Sequence, residues 1–263
     1  MVVADLPLAV RSGASHRVRV LTRALGLAAD VHLHSICKRS VDGPPPWAGV
    51  VGWSTSSSPA LGPVRPVGSD TAWVRNPHGH PSDDWLDPSA VADLRQTIGG
   101  CGPDVIVLAG FATNPYLEVV LDHQNVEADL ADEIAALDDA APRVMMRRVA
   151  AQRTAVREAA VVAAVDRVWA VSSLDAQRLV ARYRMSTPVD VVPNVVDRLP
   201  ADPLAPSRRR APMVLFPASY GFAPNVDAAR WLLDRFLPEL SMDITGVSLV
   251  LAGSDPPAEL IER

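Results

Sequence analysis

Cysteine is nearly missing from this chain. Its two thiols, Cys37 and Cys101, cannot build a disulfide framework, so a reducing cytoplasm suits it. Neither has a second thiol nearby to make a zinc pair. A basic excess is missing as well. The formal net charge is −5 and the pI about 5.7, which argues against nucleic acid as a partner. No apolar run is long. The longest, 159–165, stops at Asp166, far short of a bilayer span. The opening MVVADLPLAV lacks a basic region and carries Asp5, so it does not read as a signal peptide. There is no P-loop and no internal repeat. The one glycine-rich run, Gly99-Gly100-Cys101-Gly102, precedes a strand instead of following one, which excludes the dinucleotide fingerprint.

What is present is ordinary globular material: 263 residues, 48% hydrophobic and 21% charged, enough for two domains or one large one. Short apolar runs alternate with helical spacing. Strands are expected at 2–5, 31–36, 104–109, 117–121, 167–172 and 189–192, and helices at 14–28, 88–98, 126–165 (interrupted near Pro142) and 174–183. In the first helix Val18, Leu21 and Leu25 share one side and Arg17, Arg19 and Arg23 lie elsewhere, with Ser12 and Ser15 as candidate caps. Residues 42–81, rich in Pro, Gly and Ser, offer only short strand candidates at 50–53 and 71–74.

After 198–212, a linker with Pro200, Pro203, Pro206 and Pro212, a fresh α/β unit begins. Its strand is expected at 213–217, its helix at 225–236 and a second strand at 247–252, with another helix starting at 256. Two strings of alternating strand and helix predict two Rossmann-like parallel-sheet domains, 1–197 and 213–263, the second one incomplete. Its roughly 50 residues fall short of the 100 or so that such a domain uses. One spacing is anomalous. Residues 110–116 are too few for a parallel crossover, so either a neighbouring strand is misassigned or a crossover helix has been lost.

The richest chemistry sits where LEVVLDHQNVE passes from an apolar run into a helix. Asp122, His123, Asn125 and Glu127 crowd the tip of a strand, and ligands bind outside the carboxyl ends of parallel strands. The plainer reading is a helix start with Asn125 as its cap. Asn225 likewise reads most simply as a cap, Tyr220 as core, and Asn194 as a turn former.

Taken together, Leu6-Pro7, Ser12-Gly13 and Arg17, then Asp122-His123-Gln124-Asn125-Val126-Glu127, then Val171-Ser172-Ser173 with Asp175, then VPNVVD at 192–197, then FPASYGFAPNVDAARWLLDRFLPEL at 216–240, resemble glycosyltransferase family 4, the "group 1" family of GT-B fold. The resemblance implies a retaining enzyme. It would move a sugar from a nucleotide-sugar donor, bound by the C-terminal domain, to a glycan, lipid-linked or small-molecule acceptor on the N-terminal one. It implies His123 at the donor sugar as the catalytic residue. Gly13 would lie near the donor phosphates, where a missing Cβ permits close approach and a helix N-terminus attracts an anion. Arg17, Asp122, Asn125, Glu127, Asn194, Tyr220 and Asn225 complete the implied substrate site. No metal and no cofactor is implied.

Two family features depart. The paired glutamates of the second domain would lie beyond Arg263, and ASYGFAPN after Pro217 holds no Lys or Arg before Arg230. The chain therefore reads as C-terminally truncated, with impaired turnover. The rival readings are a non-catalytic remnant that binds a partner or glycan, and a nucleotide-sugar epimerase of similar shape. Three further features have plain readings. His32 and His34 face one side of a strand and are expected to be ordinary strand residues, as is the loop pair His78 and His80. Arg143, Arg147, Arg153 and Arg157 fall on one side of their helix, opposite Met145, Val149 and Val156. They read as a solvated face, with contact to anionic lipid headgroups at the inner membrane surface as the alternative.

Overall fold

The computed structural model describes residues 1–4, 13–37, 43, 49–57, 88–109, 120–137, 141–195 and 212–262. The chain is α/β, with two parallel sheets in two compact units, Met1–Asp197 and Arg198–Arg263.

In the first unit the strands are β1 (Val2–Ala4), β2 (His32–Cys37), β3 (Gly52–Ser57), β4 (Val107–Ala109), β5 (Val120–His123), β6 (Arg167–Ala170) and β7 (Val189–Val191). They form one all-parallel sheet in the order β3-β2-β1-β4-β5-β6-β7. The helices are α1 (Gly13–Leu25), α2 (Pro88–Cys101), α3 (Glu127–Ala136), α4 (Ala141–Ala164) and α5 (Ser173–Tyr183). The chain winds outward from β1 in one direction, then returns to β4 and winds in the other. The reversal between β1 and β4 is a topological switch point. Right-handed crossovers put α1 on one face and α2, α4 and α5 on the other.

The core follows that division, because successive strand residues point to opposite faces. Val18 of α1 packs with Leu33 and Ala109 on one side. On the other, Ala90 and Leu94 of α2, Val161 and Val162 of α4, and Leu179 of α5 pack with Ile36, Leu108, Leu121 and Val168. β2 is buried along almost its whole length, on both faces.

Several expectations are corrected. β4 is only the last half of the expected 104–109 strand. β4 and β5 pair directly in parallel, so neither strand is misassigned. Their connection, 110–119, lies outside the described residues. β3 is longer and more polar than the candidate at 50–53, while 71–74, His78 and His80 lie outside. The helical stretch is interrupted near Pro142 as expected: α3 ends at Ala136 and α4 starts at Ala141, with Pro142 in its first turn, where its missing N–H is no loss. Ser15 is buried within α1 and Ser12 is outside the described residues. The arginine face of α4 does not stand as expected. Met145 and Val156 are exposed, and Arg147 is half-buried with Nη1 on the Ile134 carbonyl at 3.1 Å. The buried stripe runs instead through Ala151, Thr154, Glu158, Val161, Val162 and Val165.

The second unit pairs β8 (Met213–Ser219) with β9 (Ser248–Ser254) in parallel. Gly253 is needed there, since a Cβ would lie 1.6 Å from the Ala218 carbonyl oxygen. Three helices accompany the pair: α6 (Ala223–Trp231), α7 (Leu237–Asp243) and the single turn α8 (Ala258–Ile261). A π-helical turn, Leu232–Phe236, joins α6 to α7 beside the stacked rings of Trp231 and Phe236. Only Tyr220 and Ala229 among its described residues are buried. Among all described residues, no helix is long and apolar enough to cross a membrane, and no cluster of three ligating side chains could hold a metal.

Candidate functional site

Asp122 and His123 end β5 at the carboxyl edge of the sheet, and their side chains leave it in opposite directions. Each meets a buried charge from the helix on its own side.

Toward α1, Asp122 meets Arg17. The guanidinium grips the carboxylate with Nε at 3.0 Å from both oxygens and Nη2 at 2.5 Å from Oδ1. Its Nη1 donates to the Asn194 side-chain oxygen at 3.1 Å. One residue back, a His16 ring nitrogen lies 3.0 Å from the Val195 carbonyl. Arg17 was expected away from the apolar side of α1, yet it is 3% exposed, and Asp122 is wholly buried. A charged residue is held there because a bidentate pair satisfies both groups. Burial holds the Asp122 carboxyl above its ordinary value, and the Arg17 guanidinium offsets only part of that rise. Arg17, Asp122 and Asn194 thus form one network linking α1, β5 and the segment after β7.

Toward α4, His123 meets Glu158, its Nε2 2.6 Å from Oε1. Both side chains are fully buried. Glu158 also accepts from the backbone amides of Glu127 at 2.7 Å and Ala128 at 3.0 Å, and from the Tyr183 hydroxyl at 2.5 Å. Burial pushes the Glu158 carboxyl up, but the bonds from His123, Tyr183 and Ala128 outweigh that and hold it below the usual glutamate range. The same contact, with burial leading, pushes the Tyr183 phenol well above its ordinary value.

This corrects the capping role of Asn125. Helix α3 begins at Glu127 after Val126, which has no side-chain cap bond. Its first two amides are satisfied by Glu158, from 31 and 30 residues away. Asn125 is exposed and donates to Glu127 Oε1 at 3.4 Å. Burial pushes the Glu127 carboxyl up, against the pull of His123. Glu158 and Tyr183 had escaped sequence reasoning. One signal was available: Glu158 falls on the same helical stripe as Thr154, Val161, Val162 and Val165, and a carboxylate on an apolar stripe needs partners.

Gly13 opens α1. In the second unit Asn225 is not a cap. Helix α6 starts after Phe222, and the Asn225 side-chain amide donates through Nδ2 to the Ser219 carbonyl at 2.8 Å. Tyr220 is buried, with its hydroxyl on the Phe216 carbonyl at 3.0 Å. His32 and His34 share Ser54, each with a ring nitrogen 2.8 Å from its hydroxyl, and His34 reaches Ser56 at 2.8 Å. They lie at the amino half of β2, away from His123. No protein-family model and no curated protein matches the chain.

Proposed function

We propose that Met1–Asp197 forms the acceptor-side domain of a retaining GT-B glycosyltransferase, and that the second unit belongs to its donor side. The supporting observation is convergence. Arg17, Asp122 and Asn194 belong to three separate anchors of the resemblance, 105 and 177 residues apart along the chain from Arg17, and one hydrogen-bond network joins them beside His123. In this reading a nucleotide sugar lies over the carboxyl edge with its phosphates toward the start of α1, where the helix dipole favours an anion. His123 stands at the sugar, where an oxocarbenium-like charge develops and a preorganised acceptor or base lowers the barrier. Arg17 acts as a strut, since its donors are already directed to Asp122 and Asn194. In the same reading Asn125 and Glu127, next to that tip, contact the acceptor. The chemistry calls for no metal.

A second reading, a non-catalytic fold that binds a glycan or partner, draws on Arg230. It is the first cation after Pro217, and its guanidinium is bound to Glu259. It is therefore not poised for a diphosphate.

Thermal unfolding of the 263-residue chain with UDP-, GDP- and ADP-sugars separates the two. A ligand at 100 times its Kd adds about 2.7 kcal/mol of apparent stability. The proposal expects one nucleotide class to raise the midpoint, and His123→Ala to weaken that rise without lowering the unliganded midpoint by an equal amount. No shift with any nucleotide sugar at millimolar concentration would end the transferase reading and leave the binder.

A further inference from the structure

Glu158 is a wholly buried carboxylate on a helix, and three of its four hydrogen-bond partners, two backbone amides and the Tyr183 hydroxyl, donate to it. Oε1 takes His123 Nε2 and the Glu127 amide, while Oε2 takes the Ala128 amide and the Tyr183 hydroxyl. A carboxylate in such surroundings serves as an anion, and an anion can only accept. The hydrogen shared with His123 therefore belongs to Nε2. In a neutral imidazole with Nε2 protonated, the lone pair is on Nδ1. Turning the ring over would present a C–H to Glu158 inside a site that excludes water, leaving a charged acceptor short of a partner. Buried carboxylates fix working histidines in this way in metal sites and in hydrolytic triads.

We propose that Glu158 is a positioning residue for His123: it holds the imidazole by Nε2, makes Nδ1 the basic nitrogen, and ties the ring's orientation to α3 and α5. The use of that nitrogen on a bound sugar rests on the transferase reading, but the tautomer does not. The two α3 amides on the same carboxylate mean that the ring and the start of α3, with Asn125 and Glu127, move together. Tyr183 adds α5 as a third support.

The test is the ring's own spectrum. Long-range proton–nitrogen correlations of the nitrogen-15-labelled chain would be recorded at roughly pH 8. Signals are assigned by their loss in His123→Gln. The proposal expects a protonated Nε2 and an unprotonated Nδ1. Glu158→Gln puts an amide, both donor and acceptor, where only an acceptor stood. It is expected to abolish the single tautomer and to move the Glu127 and Ala128 amide signals. Tyr183→Phe keeps the carboxylate and is expected to keep the tautomer. A protonated Nδ1 in the wild-type chain overturns the proposal. So does a folded Glu158→Gln with an unaltered ring, or a Tyr183→Phe that loses the tautomer as completely. If Glu158→Gln does not fold, the wild-type tautomer and the Tyr183→Phe spectrum decide. No donor is present in the measurement, so a failure of nucleotide-sugar binding leaves it standing, and a wrong tautomer leaves that binding untouched.

Discussion

Arg17→Ala removes the guanidinium and leaves the Asp122 carboxylate alone in a place that water does not reach. Four donor contacts disappear, three on Asp122 and one on Asn194. Asn194 is exposed and can turn to water, so its loss costs little. Asp122 is fully buried and cannot. Breaking a buried pair from one side typically costs about 3–5 kcal/mol, a large part of the roughly 5–15 kcal/mol that holds a domain together. The pair itself need not be a net stabiliser, because taking two charges out of water offsets most of their attraction. A second variant separates these statements. Arg17→Met with Asp122→Leu fills similar space with no charge, and is expected to lie within about 1–2 kcal/mol of the wild type despite the loss of both ionic groups. Urea unfolding followed by circular dichroism and by tryptophan fluorescence supplies both numbers, with coincidence of the two transitions as the check on two-state behaviour. If Arg17→Ala costs less than about 1 kcal/mol, as exposed pairs do, the burial argument fails. If the double variant is as unstable as the sum of the two single ones, the residues are not coupled.

Acid should weaken the first unit through His34. Burial foremost, with His32 next and the Met1 amino group behind, outweighs the upward pull of Asp93 and lowers its pKa from 6.5 to about 4. The unfolded chain then takes up the proton first as pH falls, so stability is full above 6.5 and declines toward pH 4, by up to about 3 kcal/mol. His34→Gln should flatten that decline in urea titrations across the range, and an unchanged profile would refute it. Leu108→Ala, at a wholly buried position of the central strand β4, is expected to cost about 2–5 kcal/mol by the same titration; a loss below about 1 kcal/mol would place it outside a packed core. Gly253→Ala drives a methyl against the Ala218 carbonyl across the β8–β9 pair. Amide exchange should rise along both strands while the first unit keeps its protection, and unchanged exchange in β8 would refute the pairing.

The buried strands were legible because a parallel strand covered on both faces must be apolar almost throughout, and Val107–Ala109 announces itself that way. Helix α5 was legible for a local reason: Ser172 sits just before it, and its hydroxyl oxygen accepts from the Asp175 amide. β3 was not, since GWSTSS has strand geometry without strand composition. Its serines answer His32 and His34 on the neighbouring strand. The strand-tip cluster stood out by residue type alone, and Asn194 and Arg17 were read as site residues only through the resemblance.

Local rules mispredicted Asn125 and Asn225 as caps, because capping was read from nearby residues and the partner of α3 comes from another helix. Periodicity put Arg17 outside and set Met145 and Val156 opposite a solvated arginine face, because spacing says which residues share a side but not which side is covered. By itself the order of residues determined the alternation of strands and helices and the concentration of polar groups at one strand tip, both consequences of short-range sterics and of which side chains leave water. The tertiary structure alone decided that Asp122 faces Arg17 and His123 faces Glu158. A buried charge is tolerated only beside its complement, and these complements lie 105 and 35 residues away in the chain.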